Sequence, residues 1–114
     1  PENLGEVLKK QDDLEKKLAE ISNKMGKLEK TVELSIRKVG IVRYNPFSGV
    51  GSNQSFSVAL LDGNNNGIIV TSLYTREGNR VYGKPVENGK SNYQLSGEEK
   101  EAISKAIGFE TKYD

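Results

Sequence analysis

Two groupings of residues in this chain have types and spacings that could do chemistry. The first is DGNNNG, Asp62 to Gly67. It matches the opening of an EF-hand loop, D-x-[DN]-x-[DN]-G, in which oxygen ligands at alternate positions suit a hard cation such as calcium. The twelfth position, however, is Leu73 where a bidentate Glu is needed, and no helical pattern flanks the loop. Gly and Asn are equally the residues that tolerate the positive φ of a hairpin turn. The sequence is therefore read as a turn, with no metal ligands assigned.

The second grouping is cationic and aromatic. Arg80, Tyr82 and Lys84 share one face of an extended segment by the two-residue period. Together with Arg43 and Arg76 they would make a basic patch interleaved with an aromatic ring, the arrangement that stacks bases and holds phosphates. Arg and Lys are also ordinary on the wet face of an antiparallel sheet. Gly49 and Gly51 supply a G-x-G, but the phosphate-binding fingerprint needs a helix opening on the glycines inside a βαβ unit, and a flexible Gly/Ser loop is the reading taken for residues 48–53.

Catalytic chemistry has little to work with. The chain has no His and no Cys, which removes the commonest general base, the commonest metal ligand and any disulfide or thiolate site. Between residues 37 and 90 the only carboxylates are Asp62, Glu77 and Glu87, all in expected turns without apolar neighbours to raise a pKa. Lys84 as a base would need a buried pocket that so small a domain can hardly enclose. A non-enzymatic protein without a cofactor is expected.

The elements that position these residues begin with a stalk, residues 1–38. Leu4, Gln11, Leu18, Met25 and Val32 occupy the a positions of a heptad, and Val7, Leu14, Ile21, Leu28 and Ser35 the d positions, so eight of ten seam sites are apolar. A helix from Leu4 to Ser35 would be on the order of 50 Å long. The g positions Lys10, Lys17 and Lys24 and the e positions Glu15 and Glu29 set Lys10 near Glu15 and Lys24 near Glu29 of a parallel partner, whereas an antiparallel pair would oppose Lys with Lys. A parallel homo-oligomer of two or three strands is expected. The β-branched Val7 and Ile21 at d weaken the preference for two, and Gln11 suits register-setting. The competing possibility is a stripe packed on the chain's own head. Arg37, Lys38 and Gly40 give a helix-stop composition.

Residues 39–114 read as a β-rich head. Strands are expected at residues 39–44, 55–61, 68–74 and 80–85, joined by turns at DGNNNG and TREGN, the compact antiparallel meander of the region 55–85. Phe56, Val58 and Leu60 alternate with Ser55, Ser57 and Ala59, which marks a half-buried strand. Residues 68–74, IIVTSLY, are nearly all apolar, the pattern of a central strand covered on both faces. Pro85 belongs at an edge. After a turn at residues 87–90, Ser96 and Glu99 form a capping box for a helix that is expected to run to about Ile107 and to stop at Gly108, with Ala102, Ile103, Ala106 and Ile107 as its sheet-facing side and residues 109–114 as a tail. The fold class is α+β.

The net charge of +1 is unevenly spread: −1 over residues 1–36, +4 over residues 37–90 and −2 over residues 91–114. The excess on the sheet makes a nucleic acid or an anionic surface an alternative partner, but it is too small to diagnose one. No apolar run approaches the roughly 20 residues that span a bilayer. Beginning at Pro1 implies that an initiator Met was removed or that a longer precursor exists.

The series VGIVRYNPF, QSFSVALLD, GIIVTSLYTREGNRVYGKPV, GKSNYQLS and EEKEAI resembles an uncharacterised bacterial family, a domain of unknown function whose members carry an N-terminal transmembrane helix, a coiled coil and this C-terminal domain. The resemblance implies no activity and no catalytic residue. It implies an anchor ahead of Pro1 and hence tethering to a bacterial membrane. The expectation from the whole sequence is a structural adaptor that self-associates through the seam and offers its β head to a protein partner, with nucleic-acid or anionic-surface binding as the alternative.

Overall fold

The computed structural model describes residues 3–46 and 54–111, with side chains described as far as residue 108. The chain divides into two compact units, Pro1–Val32 and Glu33–Asp114. The expected loop at residues 48–53, with Gly49 and Gly51, lies outside the described residues.

The first unit is helix α1, Leu4–Glu33, except for its last residue, Glu33, which belongs to the second. Its sequence is rich in Leu, Lys and Glu, straight-chain residues that lose little rotamer freedom in a helix. Asn3 caps it: its Oδ1 accepts the Glu6 amide at 2.8 Å and its carbonyl the Val7 amide at 3.1 Å. At about 1.5 Å per residue the helix is about 45 Å long. Ser35, read as the last d site, lies beyond its end.

The second unit is a four-stranded antiparallel meander with a helix on one face, an α+β fold. The strands β1 (Lys38–Tyr44), β2 (Ser55–Leu61), β3 (Gly67–Thr75) and β4 (Gly78–Val86) lie side by side in chain order. The β3–β4 turn is a two-residue loop, Arg76 and Glu77, closed by the Thr75–Gly78 pair, with Gly78 at a φ of 126°. A further tight turn after β4 places Asn88 and Gly89 at positive φ between the reciprocal backbone bonds of Glu87 and Lys90.

Helix α2, Gly97–Thr111, covers the sheet. Ala102, Ile103 and Ala106 pack on Val42, Ala59, Leu61, Ile69 and Val86, with Tyr44, Leu95 and Ile107 at the margin. Small residues let the helix come close: a Cβ at Gly40 would overlap the Ala102 carbonyl oxygen and crowd the Ala106 amide. The wholly buried Ile69 contributes roughly 1.5–3 kcal/mol to this core.

The structure departs from two further expectations. Gly108 does not end α2, which continues to Thr111; the only described glycines at positive φ are Gly78 and Gly89. A glycine that keeps helical φ costs about 1 kcal/mol relative to Ala, too little to stop a helix by itself. Strand β3 is internal in the sheet, yet it is covered on one face only: Ile69 and Thr71 are buried while Ile68 is 40 % exposed. Its near-continuous apolar run comes from an uncovered face that is itself apolar.

Candidate functional site

The α1 seam is the first candidate surface. No residue of α1 is buried. Leu4, Val7, Leu14, Leu18, Ile21, Met25, Leu28 and Val32 are each 42–73 % exposed, and Gln11 is exposed among them. The stripe is narrow and long, and Gln11 is the one polar side chain within it.

The open face of the sheet is the second. Cross-strand register arranges its side chains in rows: Val39, Leu60, Ile68 and Pro85; then Ile41, Val58, Val70 and Gly83; then Arg43, Phe56, Ser72 and Val81. In these rows only Arg43 and Ser72 bear polar side chains. Strand β2 explains the polarity of the head. Its small residues Ser55, Ser57 and Ala59 are buried beneath α2, whereas Phe56, Val58 and Leu60 point the other way and are only half buried. The close approach at Gly40, whose register partner is Ala59, leaves no room for large side chains at that point on the helix side, and the bulky Leu61 and Ile69 of this face lie in the core around it.

Under α2 runs a closed chain of polar groups. The Thr71 hydroxyl donates to Glu99 Oε2 at 2.8 Å, so it accepts from the Ser57 hydroxyl at 2.7 Å, and Ser57 in turn accepts from Tyr44 Oη at 3.3 Å. Glu99 Oε1 takes the Ser96 amide and Lys84 Nζ, each at 2.8 Å, and Ser96 Oγ accepts the Glu99 amide at 3.1 Å. This is the expected capping box with two further partners. Burial alone would push the Glu99 carboxyl up; the bonds from Lys84, Ser96 and Thr71 and the charge of Lys84 outweigh it and hold the pKa below its ordinary value.

The DGNNNG turn is likewise satisfied from within. Asp62 Oδ1 accepts the amides of Asn64 and Asn66 at 2.8 and 2.9 Å. Lys38, read as part of a helix stop, is instead buried at the start of β1, and its ammonium donates to Asn65 Oδ1 at 2.7 Å and to the Gly63 carbonyl at 3.3 Å. A cation of the chain's own is thus held by this turn, through the residues between the positions that the motif would offer to calcium. Among the described residues no three acidic side chains gather in a metal-holding group.

The five candidate binding residues are not brought to one surface. Arg80, Tyr82 and Lys84 lie on the α2 side of β4, in register with Leu73, Thr71 and Ile69. Arg43 lies on the open face, and Arg76 is in the β3–β4 loop. Lys84 is held by Glu99 and by the Gln94 carbonyl at 2.8 Å. Arg80 and Tyr82 remain exposed along the β4 edge. What sequence reasoning missed is Glu99 as the hub of the polar chain and the open face as the larger apolar surface. The second was available in the contrast between bulky and small residues along β2.

A family model described as a protein of unknown function, DUF4446, matches residues 2–107. No curated protein and no solved structure matches the chain.

Proposed function

The chain belongs to the DUF4446 family of proteins of unknown function, and we propose that it acts as a non-enzymatic adaptor. In this reading a parallel coiled coil of α1 gathers two or three copies and presents their β heads to a protein partner near a membrane. The observation that carries the reading is the α1 seam: apolar at every a and d site from Leu4 to Val32 except Gln11, and exposed along its whole length. Leaving that stripe in water forgoes roughly 1.5–3 kcal/mol for each large side chain that a partner helix would bury.

Two buried carboxylates, Asp62 and Glu99, support the non-catalytic part, because the bonds they accept come from their own fold. Membrane proximity rests on the resemblance of the sequence to a family with an N-terminal anchor. No described helix is long and apolar enough to cross a membrane. Sedimentation equilibrium of the full chain tests the reading. A mass of two or three times 12.6 kDa is expected, falling to 12.6 kDa in Ile21→Glu. A monomeric parent chain at all concentrations would remove it.

A further inference from the structure

We propose that the open face of the sheet is where two heads of the same oligomer meet, face to face about a two-fold axis parallel to the strands. This rests on the coiled-coil reading and sharpens it, because face-to-face pairing selects two copies over three. The rows from β1 to β4 present an apolar plane with Val39, Ile41 and Val81 at 48, 46 and 67 % exposure, whereas the water-facing side of an antiparallel sheet is ordinarily polar. Flat apolar sheet faces pack on one another at about 10 Å, their strands turned by about 30°.

The size of the face selects the occupant. Four strands about 4.8 Å apart and three rows with a repeat of about 6.8 Å cover on the order of 400 Å². A partner recruited from dilute solution needs about 800 Å² on each side. Half that area suffices only for a partner supplied at the millimolar effective concentration of a short tether, and residues 34–37 alone separate α1 from β1. A parallel stalk provides such a partner in the second copy.

Charge supports the same arrangement. A two-fold axis along the strands lays β1 over β4 of the other copy. Arg43, the single charge in the rows, then falls on Val81 of the partner subunit, beside the loop that carries Glu77 of the partner subunit, and the two Arg43 side chains stand at opposite corners. The β4 edge, with Arg80 and Tyr82, stays open to an outside partner.

The test is a charge scan at Val81, exposed enough to change without unfolding the head. In the full chain Val81→Lys should raise the dimer dissociation constant about tenfold by opposing Arg43, and Val81→Glu should leave it within about threefold. Arg43→Glu combined with Val81→Lys should restore the parent value. An apolar-surface dye should bind the parent dimer weakly and Val81→Lys strongly. A parent dimer that Val81→Lys leaves unchanged overturns this inference alone and leaves the face to a different protein or to lipid, as does strong dye binding by the parent dimer. A monomeric parent chain overturns both this and the coiled-coil reading.

Discussion

Lys84 on β4 and Glu99 on α2 meet at 2.8 Å, with 23 % of the lysine side chain and 2 % of the glutamate side chain exposed. Here a charge-assisted bond adds to what little core packing the edge strand has: Val86 is its one buried residue, and except for Lys84 and Val86 every residue of β4 is exposed. Glu99→Gln should destabilise the head by about 2–3 kcal/mol, since it weakens the bonds from Thr71 and Lys84 at a buried site. A double-mutant cycle with Lys84→Met, followed by urea unfolding, checks the pair. Additive losses would show that the two side chains are not coupled.

The lowered pKa of Glu99 sets a pH dependence. The unfolded chain holds the carboxyl at its ordinary value of about 4.5, and the folded chain holds it lower. Below 4.5 the unfolded state therefore binds more protons, so the contribution of Glu99 is complete above that pH and is lost as the pH falls through the folded value. Thermal melts between neutral pH and pH 3 should show an acid limb that is shallower in Glu99→Gln. An unaltered limb would assign acid sensitivity to other groups.

Gly40→Ala should be among the most damaging single changes, because the added methyl meets helix backbone at Ala102 and Ala106 rather than a side chain that can rotate. A loss of about 3 kcal/mol is expected, at the upper end for overpacking. Gly97→Ala, where a Cβ meets nothing, serves as the control and should be nearly neutral or mildly stabilising. Denaturant midpoints compare the two.

Gln11 interrupts the apolar seam of α1. In the coiled-coil reading Gln11→Val should raise the thermal stability of the stalk by about 1–2 kcal/mol while widening the range of oligomer sizes, since a lone polar a residue fixes register at a cost in stability. Helical circular dichroism and sedimentation read the two effects. Lower stability in this variant would count against a buried position 11.

Calcium at millimolar concentration should not shift the melting temperature. The Asp62 oxygen that a calcium loop would use already accepts two amides, and the Lys38 ammonium lies against Gly63 and Asn65. A ligand that binds the folded state would raise the midpoint by linkage, so a clear rise would show the loop to be a cation site.

The order of elements was legible because each carries its own punctuation: alternation along residues 55–61, Asn and Gly at the turns, Ser96 with Glu99 at the start of α2. Strand β2 was located to the residue. Which of its faces lies inwards was less so. Hydrophobicity alone favours burying Phe56, Val58 and Leu60, yet the helix settles on Ser55, Ser57 and Ala59, because Gly40, Ala102 and Ala106 permit a separation that larger side chains forbid. Smallness, distributed over three distant segments, decided it. Lys38 was obscured for a related reason: a lysine beside Arg37 reads as solvated, and only the return of the chain at Asn65 supplies the oxygens that accept its charge. Likewise Lys84 counts as a binding cation only until Glu99 is folded over it.

The DGNNNG turn also acts as a ruler. The Gly63 amide holds the Glu33 carbonyl at 2.8 Å, and the Leu61 carbonyl holds the Arg37 amide at 2.9 Å, so the joint between them is pinned at both ends to one hairpin. A residue inserted at 34–36 would have to loop outwards, leaving the register of β1 on β2 undisturbed. The joint is therefore a place where length can vary while the reading frame of the sheet is kept.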